Sequence, residues 1–406
     1  MAQDQMMSPS SRPVLAVGAW LKNTACLLDA AGARWSGLHG DLRDANACRA
    51  LEASTRALYA QSSQPVAAIA HDLHPDFYST RLAFTLAQEW QVKAMGVQHH
   101  HAHIGAVMAE HGLSEPVIGL ALDGVGLGTD GTAWGGELLW VAPMGWERLG
   151  HLWPLDLPGG DAAAREPWRM LASALHAMRR GAEIQPRLSP LVGAGPARMI
   201  QRMLETRLNC PVSTSAGRWF DAAAAALGLH LHQQNEAEAA IALEQQAALW
   251  TDSGLRADAD KASHEDITTA ASVLDLRPLL ATLLEWPRAP DAVPAAAAWF
   301  HRALAHALAD WAAHAARQAG CGAVCLGGGC FMNAILTQHV TNRLKNHGLR
   351  VYRPQINACG DAGLALGQAW VVAQHLKTPG VASKEGVSAS CSPLNSSTLS
   401  ESLSCA

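Results

Sequence analysis

The feature that most restricts the fold of this 406-residue chain is a strand–turn–strand pattern that occurs twice. The first copy begins at Ser11 with "SRPVLAVGA", and the second begins at Ser114 with "SEPVIGLAL". In each copy an apolar segment with small residues leads into a Gly/Asn/Asp-rich turn and a second strand, "NTACLLDAAG" or "GTAWGGELLWVAP". Two similar openings in one chain predict two units with related architecture.

Strands and helices are predicted to alternate after both openings. "PVAAIAH" and "QVKAMGVQ" are typical of buried strands, and "YSTRLAFTLAQEW" is typical of a helix between them. The second half is rich in Ala, which favours helices. One long helix, "PAAAAWFHRALAHALADWAAHAARQAG", is predicted to end at Gly320. Alternation of this kind indicates an α/β fold with a parallel or mixed sheet covered by helices.

The composition excludes several classes of protein. With 49% hydrophobic and 16% charged residues the chain is expected to be globular, and a net charge of -5 argues against a nucleic-acid partner. No apolar run reaches the ~18 residues that a membrane span requires, and the N-terminus lacks the apolar core of a secretory signal. The nine cysteines show no disulfide framework. These observations predict a cytoplasmic protein with reduced thiols and no membrane partner.

Histidines form the densest group of candidate ligands, in "HHHAHIGAVMAEH". His99 and His103 are four residues apart, so on a helix they share a face and could bind one ion, whereas His100 and His101 point elsewhere. A hydrogen-bonded histidine cluster without chemistry is the alternative.

Two acidic residues could complete a metal site with these histidines. Asp123 ends a predicted strand and Asp361 begins the last predicted helix. Each has an alternative structural role, as a turn residue and as a helix cap respectively. Two imidazoles with two carboxylates would suit Fe, Zn or Mn better than Ca.

A glycine turn, "LGGGCFMN", runs from Leu326 to Asn333 between a predicted strand and a predicted helix. It matches neither a P-loop nor G-x-G-x-x-G. Backbone N–H groups in such a turn can approach a phosphate or ribose, but a tight connection without a ligand explains the glycines equally well. The preceding "CGAVC" is interpreted as part of a buried strand rather than a thiolate metal site.

Three further residues have both a functional and a structural interpretation. Asp221, in "SAGRWFDAAAAALG", could bind a ribose hydroxyl or interact favourably with a helix dipole, and Gly217 lies just before it. Lys22 in the first turn, "WLKNTA", could bind an anion or be a solvated hairpin residue.

Taken together, these segments resemble the carbamoyltransferase domain of HypF, a family of [NiFe]-hydrogenase maturation proteins. That domain is related to the tRNA threonylcarbamoyladenosine transferase TsaD and to O-carbamoyltransferases of antibiotic synthesis. The matching segments extend from about Val14 to about Val371 and are "VLAVGAWLKNTACLL", "GLHGDL", "HDLHPDFYSTRLA", "VQHHHAHIGAVMAEHGL", "LDGVGLGTDGTAWGGELL", "PGGDAAAREPWRM", "SAGRWFDAAAAALGL" and "DAGLALGQA".

The resemblance implies a two-lobed α/β fold of the actin-like/Hsp70-like (ASKHA) kind, with a metal and nucleotide cleft between the lobes. Residues 12–114 would form the N-terminal lobe, and residues 115–375 the C-terminal lobe with an Ala-rich helical insertion. The Ser-rich residues 376–406 are expected to be a disordered tail.

The resemblance also implies two sets of site residues. The metal ligands would be His99, His103, Asp123 and Asp361. The nucleotide-binding residues would be Gly217, Asp221, Glu236, Gly327, Gly328, Gly329 and Asn333. The chain departs from the family at two points. Gly327 and Cys330 replace the Ser and Val of the usual Ser-Gly-Gly-Val turn, and "NEAEA" replaces Tyr-Glu-Gly-Gln around Glu236.

The function implied is metal-dependent transfer of a carbamoyl group from carbamoyl-adenylate to the C-terminal cysteine of HypE, for cyanide ligand synthesis. The implied cofactors are a divalent metal, with Fe or Zn ahead of Mn or Mg, and an adenine nucleotide. None of the chain's own cysteines is expected to act as nucleophile. HypF proteins usually carry acylphosphatase, zinc-finger and YrdC-like modules, and this sequence has none of them. A short form is therefore expected, which needs carbamoyl-adenylate made elsewhere from carbamoyl phosphate and ATP.

Four other functions are alternatives to this one. A carbamoyl phosphate or acyl phosphate hydrolase would use the same metal site. An actin-like kinase is disfavoured because "AVGAWLKN" lacks the acid that usually follows the first strand. A metalloprotease is rejected because His100 stands where the H-E-x-x-H motif has its Glu. The retained ligand set argues against a scaffold without catalytic activity.

Overall fold

The computed structural model describes residues 12–250, 271–287, 292–355, 359–377 and 387–389. Within these ranges, no helix combines the length and the hydrophobicity needed to cross a bilayer. The predicted disordered tail lies outside the described residues, apart from two helical residues at 376–377 and a short strand at 387–389.

The described strands fall into two groups along the chain. They are β1 (Val14–Ala16), β2 (Cys26–Asp29), β3 (Gly32–Trp35), β4 (Ala68–Asp72), β5 (Lys93–Val97), β6 (Val117–Leu127), β7 (Ala133–Ala142), β8 (Gly145–Leu152), β9 (Leu155–Asp156), β10 (Val212–Ser213), β11 (Val273–Leu274), β12 (Ala323–Gly327), β13 (Arg350–Tyr352) and β14 (Val387–Ala389).

The longest described helix lies in the Ala-rich second half, but the other described helices there are no longer than the first helix of the chain. The described α-helices are α1 (Ala45–Ala60), α2 (Tyr78–Trp90), α3 (His99–Glu110), α4 (Asp161–Arg165), α5 (Pro167–Ala177), α6 (Ile184–Val192), α7 (Ala194–Thr206), α8 (Ala216–Ala226), α9 (Glu238–Ala248), α10 (Arg277–Leu284), α11 (Ala292–Ala319), α12 (Ala334–Asn346) and α13 (Leu364–Lys377).

Two sheets share one topology. In the first, the strand order is β14-β5-β4-β1-β2-β3, with β5, β4 and β1 parallel and β1, β2 and β3 antiparallel. In the second, the main order is β11-β8-β7-β6-β12-β13, with β6, β7 and β8 antiparallel and β6, β12 and β13 parallel. The doubled strand–turn–strand pattern and the mixed α/β sheet are confirmed. The "CGAVC" segment contributes to β12, a buried strand, as predicted.

Two helices fill the space between the sheets. Helix α3 packs on β6 and β12 of the second sheet, α13 packs on β1, β2 and β4 of the first, and the two helices pack against each other. They cross closely at Gly367, where an added Cβ would overlap the carbonyl oxygen of Ala102. The division at residue 114 groups α13 with the second unit, yet the helix packs on the first sheet. Almost every residue of α13 is buried, because it has neighbours on all sides.

The second sheet carries the larger apolar core. Helices α5, α8, α11 and α12 contribute to it, and its largest fully buried side chains are Trp219, Trp299 and Trp311. This core fixes β6 and β12, and the glycine turn follows β12. Asp123 does not end its strand as predicted: β6 continues to Leu127, and Asp123 lies where the pairing of β6 with β7 shifts register between Leu122 and Gly126.

Candidate metal centre

Four side chains meet where α3, β6 and the turn before α13 come together. His103 Nε2 lies 3.2 Å from His99 Nε2 and 2.9 Å from Asp123 Oδ2. Asp361 Oδ1 is 3.6 Å from His99 Nε2 and 3.7 Å from His103 Nε2. All four ligand atoms lie within 4.8 Å of one another. Two ligand atoms that are each bonded to one ion at roughly 2.0–2.2 Å lie about 3–4 Å from each other. The distances of 2.9–3.7 Å given above therefore fit one ion.

The helix start explains how the two imidazoles reach the same ion. Gln98 caps α3, and its side-chain oxygen accepts a hydrogen bond from the backbone N–H of His101 at 2.9 Å. His99 is the first helical residue, and His103 lies one turn later on the same face. The predicted pairing of these two histidines is therefore seen in the structure.

A fifth residue, Asp72 at the end of β4, orients His99. Its Oδ2 lies 2.7 Å from His99 Nδ1, and its Oδ1 accepts a hydrogen bond from the backbone N–H of His74 at 3.0 Å. With Nδ1–H donating to Asp72, the Nε2 lone pair of His99 faces the cluster, which is the arrangement found around metal-bound histidines. Sequence reasoning assigned no role to Asp72. The available signal was its position at the carboxyl end of a buried strand.

Asp123 uses its two oxygens for different partners. Oδ2 faces the imidazoles, while Oδ1 accepts hydrogen bonds from the backbone N–H groups of Gly124 at 2.8 Å and Gly329 at 3.4 Å. The second contact joins the ligand set directly to the glycine turn after β12.

The electrostatics of the cluster favour a bound cation. Burial would lower the pKa of His99, but hydrogen bonds with Asp123, Asp361 and Asp72 raise it well above its usual value. Burial would raise the pKa of Asp123, but hydrogen bonds from His103 and His99 hold it well below its usual range. Asp123 is thus ionised and attracts positive charge to the cluster, which is the charge a divalent metal supplies.

The two neighbouring histidines lie outside this cluster. His100 Nδ1 is 3.0 Å from Gln98 Nε2, and the ring of His101 stacks on Trp146 with a centroid distance of 5.3 Å. Burial lowers the pKa of His101 to about 3, so its ring is neutral. The structure places both among packing contacts rather than with the ligands.

The glycine turn is shaped by close approach of the backbone to the ligands. Gly328 has φ +95°, and a Cβ there would overlap the carbonyl oxygen of Leu122. A Cβ on Gly327 would lie 3.1 Å from Cβ of His103, and one on Gly329 would lie 3.1 Å from Asp123 Oδ1. The structure therefore supplies a packing reason for all three glycines.

Asn333, a predicted nucleotide contact, has its amide engaged within the protein. Its Oδ1 accepts a hydrogen bond from the backbone N–H of Leu336 at 2.8 Å, and its Nδ2 lies 2.9 Å from His301 Nε2. Glu244 Oε1 accepts a further hydrogen bond from the backbone N–H of Ala334 at 2.7 Å. Protein groups thus cap the start of α12, so its N-terminal N–H groups are not free for a phosphate.

The other three predicted nucleotide-binding residues lie in different surroundings. Gly217 lies beside the backbone of Asp123 and Gly124, since its added Cβ would be 3.7 Å from the carbonyl oxygen of Asp123 and 3.3 Å from Cα of Gly124. Asp221 is buried with Arg218 Nη2 at 2.9 Å, and burial raises the pKa of its carboxyl to about 6. Glu236 lies at the surface, where it pairs with Lys22.

Replacement of Asp72 by Asn is expected to weaken metal binding by roughly 10–100-fold, the usual effect of losing an outer carboxylate behind a ligating histidine. The amide keeps the shape of the side chain but not its charge, so His99 is held less firmly and is a poorer donor. Zinc or iron(II) titration of the purified chain measures the change. Asp130→Asn, at a more exposed carboxylate paired with Arg148, is the control. Equal metal affinity in Asp72→Asn and in the unmodified chain would contradict the orienting role.

Two family models match the chain. The HypF Kae1-like domain matches residues 9–110, and the carbamoyltransferase Kae1-like domain, second subdomain, matches residues 119–368. The first range contains His99 and His103, and the second contains Asp123 and Asp361. The four candidate ligands are therefore divided between the two matched regions.

Similar proteins carry related names. The carbamoyltransferase HypF homolog of Cupriavidus necator is 58% identical over 365 residues, which cover 89% of this chain and 92% of that protein. Carbamoyltransferase HypF2 of the same organism is 45% identical over 389 residues, which cover 91% of this chain and 47% of that protein. The chain thus spans most of the first relative and about half of the second.

A solved structure also resembles the chain. The crystal structure of full-length HypF in the phosphate- and nucleotide-bound form matches with a TM-score of 0.81 and 28% sequence identity. The match covers 92% of this chain and 48% of that one. The mixed α/β fold described above is therefore also that of the corresponding part of the solved protein.

Proposed function

Because the chain belongs to the HypF family of carbamoyltransferases, we propose that it transfers a carbamoyl group from carbamoyl-adenylate to the C-terminal cysteine of a HypE-type acceptor. The observation that carries this proposal is the cluster of two imidazoles and two carboxylates, which is joined to the glycine turn through Asp123. It supports a cation site next to the segment to which we assign the nucleotide.

The proposal includes the architecture of the cleft. We propose an actin-like arrangement with residues 12–114 in one lobe, residues 115–375 in the other, and metal and nucleotide between them. The shared topology of the two sheets supports this arrangement. Helix α13, which this division groups with the second lobe, would then be the element that reaches across to the first sheet.

The four clustered side chains would hold a divalent metal. When bound, such an ion supplies a Lewis acid that can offset charge on phosphate or carbonyl oxygens. Asp72 keeps His99 in the required tautomer, and the N–H groups of Gly124 and Gly329 fix Asp123. Since His99, His103 and Asp123 are buried, the chain limits the access of water to this position.

The nucleotide would lie against Gly217 and the glycine turn of residues 327–329, with Asp221 and Asn333 behind them. In the transfer itself, the acceptor thiolate forms a C–S bond to the carbamoyl carbon. The C–O bond to the adenylate phosphate breaks, and its electron pair leaves with AMP. This chain provides no covalent nucleophile in that scheme. Burial raises the pKa of Cys330, the cysteine of the glycine turn, and so disfavours its thiolate.

Hydrolysis of carbamoyl phosphate at the same site is the less favoured function, because both relatives described above are named as carbamoyltransferases. Mass spectrometry distinguishes the two. Incubation of the metal-loaded chain with preformed carbamoyl-adenylate and HypE should give a carbamoyl adduct on the terminal cysteine of HypE. HypE lacking that cysteine should stay unmodified. Release of carbamate or AMP without any adduct on HypE would contradict the proposed transfer.

A further inference from the structure

Lys22 lies in the turn between β1 and β2, in a backbone conformation that lysine rarely adopts. Its φ is +46°, in the left-handed region. The neighbouring Asn23 holds the turn, because its side-chain amide donates to the carbonyl oxygens of Val17 and Ala19, both at 2.8 Å. Such a conformation persists where its surroundings impose it, and it often marks a functional position.

The same turn is attached to the metal centre. The hydroxyl of Thr24 donates to the carbonyl oxygen of Ala362 at 2.9 Å, next to the ligand Asp361. The backbone N–H of Gly18 donates to Oε1 of Gln368 on α13 at 3.0 Å. The turn that carries Lys22 and the turn that carries Asp361 are therefore held together.

Lys22 has a single ion-pair partner among the described residues, Glu236. Lys22 Nζ is 2.8 Å from Glu236 Oε2, and the two side chains are 47% and 57% exposed. A pair this exposed contributes little to stability, so it does not by itself account for the unusual backbone. Partial burial would lower the pKa of Lys22, but Glu236 raises it, and the carboxylates of Asp361 and Asp123 add to that effect. The geometric link between Lys22 and the metal centre is the contact of the neighbouring Thr24 with Ala362.

The charge balance of the centre calls for an additional cation. Asp123 and Asp361 together cancel the charge of a divalent ion, and Asp72 adds a further negative charge behind His99. The net charge of a metal-loaded centre of this kind is therefore negative, and a cation beside it would favour binding of a phosphate anion. Lys22 can supply that positive charge from the edge of the site.

We propose that Lys22 binds the phosphate of the adenylate, and that Glu236 is the partner from which its ammonium is released when that anion enters. This inference rests on the proposed function and assigns a positioning role within it. It gives Glu236 a different role from the ribose contact that the family resemblance implies.

Calorimetric titration of the zinc-loaded full chain with AMP and with adenosine tests the inference. Lys22→Met should weaken AMP binding by about 10–100-fold, the range expected for a hydrogen bond to a charged group, and leave adenosine binding unchanged. Lys22→Arg should retain most of the AMP affinity. Glu236→Gln should strengthen AMP binding several-fold, because it removes the competing carboxylate, and should not change adenosine binding.

The two substitutions should change AMP affinity in opposite directions, which a purely structural ion pair would not do. Parallel loss of AMP affinity and thermal stability in both variants would show a structural pair and overturn the inference. Loss of adenosine binding in Glu236→Gln would favour the ribose contact and also overturn it. Equal AMP affinity of Lys22→Met and the unmodified chain would refute the role of Lys22 and leave the proposed function standing. Absence of AMP binding by the unmodified chain would instead refute the proposed nucleotide site, and the inference with it.

Discussion

Replacing both His99 and His103 by Ala is expected to abolish tight metal binding while the chain still folds. The change removes both nitrogen ligands, so the loss of metal affinity should exceed the ~10–100-fold typical of an outer-shell change. Asp72 and Asp123 lose their imidazole partners in a buried position, and we expect them to take up protons rather than remain charged. Elemental analysis of the purified double variant measures the bound metal, and circular dichroism reports the fold.

His111→Ala is the matched control, because His111 follows the same helix but lies outside the ligand cluster. It should retain metal. Metal content in the double variant equal to that of the unmodified chain would show that the site has been placed wrongly. Loss of the fold in the double variant is also informative, since it would mean that the ligand pairs stabilise the helix start.

Gly367→Ala is expected to have the largest effect on stability. A methyl group there would overlap the carbonyl oxygen of Ala102, so α3 and α13 could no longer cross at their present separation. Overpacking a well-packed core usually costs ~1–3 kcal/mol, and an obstruction by backbone should lie at or above the upper end. Movement of α13 would also displace Asp361 from His99 and His103, so metal affinity should fall together with stability. Urea unfolding measures the first effect, and metal titration the second.

The control for this substitution is Gly37→Ala. No atom lies within 4 Å of the added Cβ at that position, and its backbone is not in the left-handed region. Its free energy of unfolding should remain close to that of the unmodified chain. A Gly367→Ala variant as stable as this control would contradict the prediction, because it would show that α3 and α13 can separate without loss of stability.

Local patterns predicted the elements well where they were strongly periodic. The helix predicted from "YSTRLAFTLAQEW" is α2, Tyr78–Trp90, and the predicted C-terminal end of the long helix at Gly320 agrees with α11 ending at Ala319. The i, i+4 spacing of His99 and His103 also gave their common face correctly, because helical geometry alone determines it. Local position made Asp123 and Asp361 two candidates with alternative structural roles, the family resemblance assigned them to the same site, and the structure brings all four together.

Local patterns could not predict interactions between segments that are distant in sequence. Asp72 and Glu244 each have an ordinary local context, and their partners, His99 and the start of α12, lie 27 and 90 residues away in the chain. Helix α13 is apolar on every side, which predicts burial but not which sheet it joins. The pairing of Lys22 with Glu236 likewise depends on the tertiary fold, so the role of Lys22 stayed undecided at the level of sequence.

The packing of α13 on the first sheet has a consequence for how the protein acquires its structure. The strands of that sheet lie between residues 14 and 97 except for β14, but the helix that covers it comes from residues 364–377. Helices α1 and α2 cover the other face early, but the face under α13 stays exposed until about 270 further residues have been made. Contacts of such long range form slowly, and the exposed face is open to aggregation in the meantime. Since Asp361 precedes this same helix, the complete ligand set should form late in folding, when α13 packs on the first sheet.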